Sequence, residues 1–418
     1  MMTRKMKDSG IVWIGEVPVD WQLPKVKSLF KIGRGRVISQ LELEENGYPV
    51  YSSQTKNNGC LGYISTYDFD RSQLTWTTDG ANAGTVFLRE GKHNCTNVCG
   101  TLMPRDERNN LHYLKYALEF IAIYHKRADI NGYKIMNNEM AEIVVTLPIR
   151  TEQDKIVCFL DRKCAEIDAA IEKTKTSIEG YKKLKQSIIT EAVTKGIRGV
   201  RLMQDSGIEW IGKIPAEWEL KKLRHIGNCQ NGISKGGEYF GTGYPFVSYS
   251  DVYKNMALPE LVGGLIQSTE EERIRYSVEY KDIFFTRTSE TIEEVGFTSV
   301  CLKTIENAVF AGFVIRVRPY DDTLNPNFSK YYFRSDVHRR FFVKEMNLVT
   351  RASLGQELLK RLPVLIPPTE EQQEIADYLD QKCSEIDVLI AKKTVLLEEL
   401  ENYKKSVIYE YVTGKKEV

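Results

Sequence analysis

The sequence lacks the signatures that would let it act as an enzyme alone. Its 418 residues contain no GxxxxGK[ST] phosphate loop and no NPPY or DPPY tetrapeptide for methyl transfer to an amino group. No glycine-rich turn follows a strand and opens a helix in the way a dinucleotide site needs. Five histidines form neither an HxxxH nor an HExxH spacing, and the eight cysteines (Cys60, Cys95, Cys99, Cys158, Cys164, Cys229, Cys301, Cys383) contain no CxxC pair. No zinc site is therefore expected, and the cysteines are read as free thiols. Charge of one sign is missing too, because 58 Lys and Arg face 57 Asp and Glu for a net charge of +1. A polyanion would have to bind a local patch. There is no run of about eighteen apolar residues and no apolar stretch in MMTRKMKDSG, so neither membrane insertion nor secretion is expected and a cytoplasmic location is.

What the sequence does have is a repeat. Residues 8–25, DSGIVWIGEVPVDWQLPK, return 197 positions later as residues 205–222, DSGIEWIGKIPAEWELKK, with 11 of 18 identical. Residues 152–194 return 219 positions later as 371–413 with 19 of 43 identical. The chain is a tandem duplication, with divergence confined to residues 26–150 and 223–369. Two like frames carry two unlike inserts, a pattern in which frames hold geometry and inserts read something different.

In the later frame, apolar or small residues recur at Leu160, Cys164, Ile167, Ile171, Thr174, Ile178, Tyr181, Ile188 and Ala192. The second copy matches with Leu379, Cys383, Ile386, Ile390, Leu397, Leu400, Val407 and Tyr411. This alternating four-three spacing is a heptad seam, broken in both copies by a lysine at one level, Lys185 and Lys404. Without proline inside, each copy predicts one helix of about 43 residues and about 64 Å, with Thr151 and Thr369 as N-cap candidates. Two exposed seams on one chain can bury each other as an intramolecular coiled coil. Pseudo-twofold symmetry would run it antiparallel with the inserts at opposite ends.

The inserts are short apolar runs punctuated by Gly, Asn and Asp, such as YPVYSSQ and LTWTTDGANAGTVFL in the first and YPFVSYSD and FVIRVRP in the second. These predict strands and turns. A helix over 111–126 or 327–344 and a closing strand over 142–147 or 361–366 complete each insert. The expected fold class is α+β, a tandem duplication with two α/β recognition domains and two long helices forming an antiparallel coiled coil. Its segments are 1–150, 151–196, 197–368 and 369–418.

The repeated D-S-G-I-x-W-I-G-x-[IV]-P-x-x-W at residues 8–21 and 205–218, the TEQ and PPTEEQ openings at 151–153 and 367–372, and the paired rods resemble the specificity subunit of type I restriction-modification enzymes. The resemblance covers almost the whole chain. It implies a non-catalytic, double-stranded-DNA-binding subunit whose two recognition domains each read one half of an interrupted site. Two modification subunits would supply S-adenosylmethionine-dependent adenine N6 methylation, and restriction subunits would supply ATP- and Mg-dependent translocation and cleavage. No cofactor or metal is then expected on this chain, and no membrane partner.

Base readers cannot be carried over from the family, so candidates come from local chemistry. Lys25, Lys27, Lys31, Arg34 and Arg36 form a basic run in which Arg34 and Arg36, beside Gly33 and Gly35, are the better phosphate candidates. Ser52, Ser53, Gln54, Asn57 and Asn58, then Thr78, Asp79 and Asn82, are polar loop residues, with Gln and Asn suited to adenine and Asp to cytosine. The second insert offers Tyr249, Ser250 and Asp251, then Arg287, Thr288 and Ser289, where arginine suits guanine. Before the closing strands, Asn131, Tyr133 and Lys134 correspond to Thr350, Ala352 and Ser353, with Arg351 alongside. Turn chemistry and solvated charge compete with each assignment. A scaffold with two protein-binding modules on a rod is the alternative, and it needs no basic surface.

Overall fold

A computed structural model describes residues 4–130, 132–289, 295–346 and 352–418. The chain forms two compact units, one of Met1–Lys175 with Val395–Val418 and one of Thr176–Thr394. The expected rods are single helices, Arg150–Lys195 and Thr369–Val412, and each contributes one part to each unit. Thr369 is the first residue of its helix and Thr151 the second of its own, so neither threonine stands outside as a cap. Among the described residues no helix is long and apolar enough to cross a membrane. All eight cysteines are free, and only Cys158 is exposed.

Within each unit the rods run antiparallel, since residues early in one meet residues late in the other. In unit 1 Lys404 reaches Asp168 at 2.6 Å, and in unit 2 Lys185 reaches Asp387 at 2.6 Å. These are the lysines that interrupt the two seams, and their partners are also equivalent under the 219-residue repeat. Half-exposed pairs of this kind contribute about 0–1 kcal/mol, so they select register more than they stabilise. Stability comes from the buried seam: Leu160, Cys164, Ile167, Ile171 and Val407 in unit 1, Ile178, Leu379, Cys383 and Ile386 in unit 2. Ile390, Leu397 and Leu400 are only partly buried.

The earlier frame is a hairpin in both units, Met6–Asp8 with Glu16–Pro18 and Met203–Asp205 with Lys213–Pro215. Asp8 and Asp205 accept from the N–H of Gly10 and Gly207, whose φ of +71° explains the invariant D-S-G across the repeat. Each hairpin delivers a buried tryptophan to the start of a rod. Trp21 Nε1 donates to Glu152 Oε2 at 3.1 Å, and Trp218 Nε1 to Glu371 Oε2 at 3.0 Å. Arg4 and Arg201 complete the clusters, pairing with those carboxylates at 2.5 and 2.6 Å and lying over the indole rings. The neighbouring Gln153 and Gln372 fold back, accepting from the N–H of Asn110 and Asn325 and donating to the carbonyls of Pro148 and Pro367. Every letter of the E-Q repeat thus has a bonding partner.

The inserts share one topology despite their dissimilar sequences. In unit 1 an antiparallel sheet runs Phe30–Arg34, Cys99–Pro104, Gln73–Thr77, Val86–Arg89; in unit 2 it runs Gly227–Asn231, Val314–Pro319, Ile283–Thr286, Thr298–Val300. Gly100 lies opposite both Arg34 and Trp76, and Ile315 lies opposite both Asn231 and Phe285, so the registers match residue for residue. A second sheet pairs Tyr48–Tyr51 in parallel with Lys92–Cys95, and Phe240–Val247 with Val309–Phe310.

Three expectations change. The helix expected over 111–126 is Leu111–Ala122. The helix expected over 327–344 breaks into Pro326–Tyr332 and Asp336–Glu345, because Ser335 caps back onto the Tyr332 carbonyl and Arg334 turns inward to the carbonyls of Val252, Tyr253, Asn255 and Thr298. The strand expected over 142–147 is reduced to isolated bridges at Val144 and Leu147. Glu142 instead ends the helix Asn137–Glu142, where Lys25 and Lys27 hold it at 2.7 and 2.5 Å.

Removing the buried Glu371 carboxylate should be the most damaging single change in the frame. Glu371→Ala strands a buried indole N–H and takes one of two carboxylates from Arg201, which keeps Glu217 and the Lys195 carbonyl, so urea denaturation followed by tryptophan fluorescence should show a loss of roughly 1–3 kcal/mol. Glu371→Gln, which keeps an oxygen for Trp218, should lose less. Equal losses would mean that the carboxylate does not organise the frame.

Candidate nucleic-acid interface

Beyond the first sheet each unit carries a small ribbon that joins sequence segments more than fifty residues apart. In unit 1 Asp79–Gly80 pairs with Gly132–Lys134, which pairs with Arg127–Asp129. In unit 2 Thr288–Ser289 pairs with Ala352–Ser353. The backbones correspond closely: Ile135 N donates to Thr78 O at 3.0 Å, and Leu354 N donates to Arg287 O at 2.7 Å. Thr78, Asp79 and Lys134 therefore stand at the levels of Arg287, Thr288 and Ser353. The 219-residue offset that paired Lys134 with Ser353 in the sequence holds for the later strand of each ribbon.

The same levels carry different chemistry. Lys134 lies between two carboxylates, Asp79 at 3.1 Å and Asp129 at 3.3 Å. Thr78 is buried, its hydroxyl 2.6 Å from Asp79 Oδ2 and 2.9 Å from Val98 O. Desolvation works against ionising Asp79, but the bonds from Thr78 and Lys134 outweigh it and hold the carboxyl below its ordinary value. In unit 2 the ribbon holds the small hydroxyl residues Thr288 and Ser353, the latter exposed. Among the described residues the half-buried Arg287 guanidinium has no hydrogen-bond or ion-pair partner. Asn131 and Arg351 lie outside the described residues, and Ser289 is placed by its backbone alone.

The basic run separates into paired and unpaired members. Lys25 and Lys27 share the single carboxylate of Glu142, and Arg36 is held by Asp68 at 3.1 Å and Glu42 at 3.5 Å. Arg34, exposed at the end of its strand, makes no ion pair among the described residues; its Nε donates to Asn137 Oδ1 at 3.3 Å and its Nη2 to Met136 Sδ at 3.1 Å.

The loop of residues 52–59 is a built structure. Ser52 N donates to Gly59 O at 3.0 Å, and Asn57, Asn58 and Gly59 take successive positive φ of +50°, +53° and +78°. The buried Arg89 donates to Asn58 O at 2.7 Å and lies 3.6 Å over the Tyr51 ring, clamping this left-handed turn from below. Asn57 and Asn58 project outward, whereas Gln54 turns its amide in to Cys60 O and Ser53 is half-buried. Asn82, also exposed, donates to Thr55 Oγ1 at 3.3 Å, so this loop and the one carrying Asp79 adjoin.

Tyr249, Ser250 and Asp251 open the helix Tyr249–Lys254. Asp251 is a capping-box residue, accepting from Ser248 N at 2.8 Å and Ser248 Oγ at 2.7 Å, and Tyr249 stacks on Tyr253. Ser250 is exposed. The pentapeptide GISKG at 232–236 has GxSxG spacing, but it links the strand Gly227–Asn231 to a single 3-10 turn, Gly237–Tyr239, and forms no strand-to-helix elbow. Among the described residues no cluster of His, Cys, Asp or Glu could hold a metal ion. Sequence reasoning missed Asn137, Asn231 and Gln356, which sit beside the ribbons; the 219 offset already paired Asn137 with Gln356.

Comparison with known proteins agrees with this architecture. The chain is 42% identical over 139 residues to a protein of Mycoplasma pneumoniae named as the N-terminus of a type I specificity subunit, the match covering 33% of this chain and 74% of that one. It is 24% identical to the MjaX specificity subunit of Methanocaldococcus jannaschii over 96% of this chain and 95% of that one. A solved chain from a type I restriction-modification system has the same fold, with a TM-score of 0.71 at 14% identity, covering 96% of this chain and 99% of that chain. Residues 18–179 and 215–399 both match the type I restriction modification DNA specificity domain, and the chain belongs to that family.

Proposed function

We infer that this chain is the DNA sequence-recognition subunit of a type I restriction-modification complex and that each unit reads one half of a bipartite, interrupted site. The observation that carries this is the pair of ribbons, alike in backbone and register and unlike in side chains. Such a device presents different hydrogen-bond donors and acceptors on a constant scaffold, as reading two different half-sites requires. The chain would bring two modification subunits and the restriction subunits to double-stranded DNA. S-adenosylmethionine, ATP and Mg would be bound by those partners, with adenine N6 methylation their chemistry and a cytoplasmic location implied. Purified chain alone would transfer no methyl group.

Exchanging residues 223–369 for the corresponding insert of another family member tests independence of the halves. Methylated adenines mapped across a genome by single-molecule sequencing should then show one half of the motif changed and the other retained. A change in both halves would contradict independent reading.

Arg287 would read a guanine. Arg287→Ala should cost about 1–3 kcal/mol of discrimination and relax one base position. A phosphate contact would instead weaken binding to all sequences alike and reduce the salt slope by about one. Unchanged affinity together with an unchanged motif would reject both roles.

A further inference from the structure

Beside the ribbon of unit 2, two amide side chains meet. Asn231 is the last residue of the strand Gly227–Asn231, and Gln356 is the first residue of the helix Gln356–Lys360, three positions beyond Ser353. Gln356 Nε2 donates to Asn231 Oδ1 at 3.0 Å, and both residues are half-buried. Unit 1 carries a pair at the same two levels. Arg34 ends the strand Phe30–Arg34, Asn137 begins the helix Asn137–Glu142, and Arg34 Nε donates to Asn137 Oδ1 at 3.3 Å. Arg34 and Asn231 are matched by sheet register, and Asn137 and Gln356 by the repeat offset that also matches Lys134 with Ser353.

One backbone arrangement therefore presents a coupled polar pair in both units, with its chemistry changed. In unit 2 the shared bond occupies Asn231 Oδ1 and one Nε2 hydrogen of Gln356. That leaves Asn231 Nδ2, the second Nε2 hydrogen and Gln356 Oε1, and among the described residues none of them has a partner. Donor and acceptor side by side complement the major-groove edge of adenine, which offers N7 as acceptor and N6–H as donor. Guanine offers two acceptors and would set its O6 against Gln356 Oε1, while cytosine offers only a donor. In unit 1 the corresponding Arg34 has donors only, the chemistry that suits guanine.

We propose that the Asn231–Gln356 pair reads an adenine in the half-site of unit 2, deepening the DNA-reading role inferred above and resting on it. The competing role is a tether that fastens the helix Gln356–Lys360 to the strand.

The test uses the full chain co-assembled with the modification subunit encoded beside it. Methylation is read on duplexes that carry each base in turn at every half-site position, and thermal midpoints of the complexes are measured in parallel. Asn231→Ala and Gln356→Ala should each lower the preference for adenine at one position of the unit 2 half about 10- to 100-fold. The other half of the motif and the thermal midpoint should stay as in the wild type. Asn231→Arg, which copies the unit 1 arrangement, should move the preference at that position toward guanine. A uniform fall in methylation on all duplexes, or a lowered midpoint with the motif intact, identifies a tether and overturns the proposal, as does no change at all. A wild-type complex with no defined motif removes the DNA-reading role itself and this inference with it, whereas a wild-type motif that the variants leave intact removes only the inference.

Discussion

A carboxylate in the first turn of each rod is the constraint on which the frames depend. Glu152 and Glu371 stand where a helix N-terminus favours negative charge, yet Glu371 is fully buried and an unpaired carboxylate there would cost several kcal/mol. An indole N–H and a guanidinium offset that cost, and both come from the hairpin segment some 131–170 residues earlier in the chain. Tryptophan, arginine and glutamate are consequently interdependent, because the carboxylate bonds both others and its loss leaves the indole N–H without its acceptor. This is why the two copies still match at residues 8–25 and 205–222 while the inserts have drifted apart. The frame cannot change one residue at a time.

The inserts tolerate change for the complementary reason. Their ribbons are held by backbone bonds, from Ile135 N to Thr78 O and from Leu354 N to Arg287 O, which are indifferent to the side chains at those positions. Threonine can become arginine and lysine can become serine without disturbing the ladder. Core positions behave differently. Gly100 is pressed against the Trp76 ring, where any Cβ would collide, while at the matching place in unit 2 Ile315 faces the smaller Phe285. Bulk is exchanged across the pair, not added, as close packing requires.

The rods, the duplication and the pairing of distant polar loops were legible because they are periodic: a heptad spacing and two fixed offsets. Lys185 and Lys404 stood out at one level before any partner was known, and each meets the aspartate that the repeat makes equivalent. What could not be read was which charges are already satisfied. Arg36 meets Asp68 and Lys134 meets Asp129 only after strands and hairpins bring them together, so the cations that carboxylates hold could not be told in sequence from those that stay unpaired. Asp251 is different, because the S-x-x-D of Ser248 to Asp251 is a capping signal visible in the sequence, and a polar composition drew it into the candidate base readers instead. The break at residues 333–335 depends on the carbonyls that Arg334 finds in two other segments, and no local pattern encodes that.

Neutralised cations also shape how DNA would be bound. Affinity from counterion release scales with the number of phosphates that cations neutralise, and Lys25, Lys27, Arg36 and Lys134 are each engaged by carboxylates. Breaking those ion pairs would offset part of the free energy released when a phosphate takes the carboxylate's place. The cations beside the ribbons that make no ion pair among the described residues, Arg34 and Arg287, stand at or next to positions that differ between the units, the pattern expected of groups that read bases. A chain of net charge +1 built in this way would hold any sequence weakly, and that would be an advantage for a reader that must sort one site from a genome of competitors. Its useful quantity is the ratio of specific to non-specific binding, and low background raises that ratio as surely as additional hydrogen bonds to bases do.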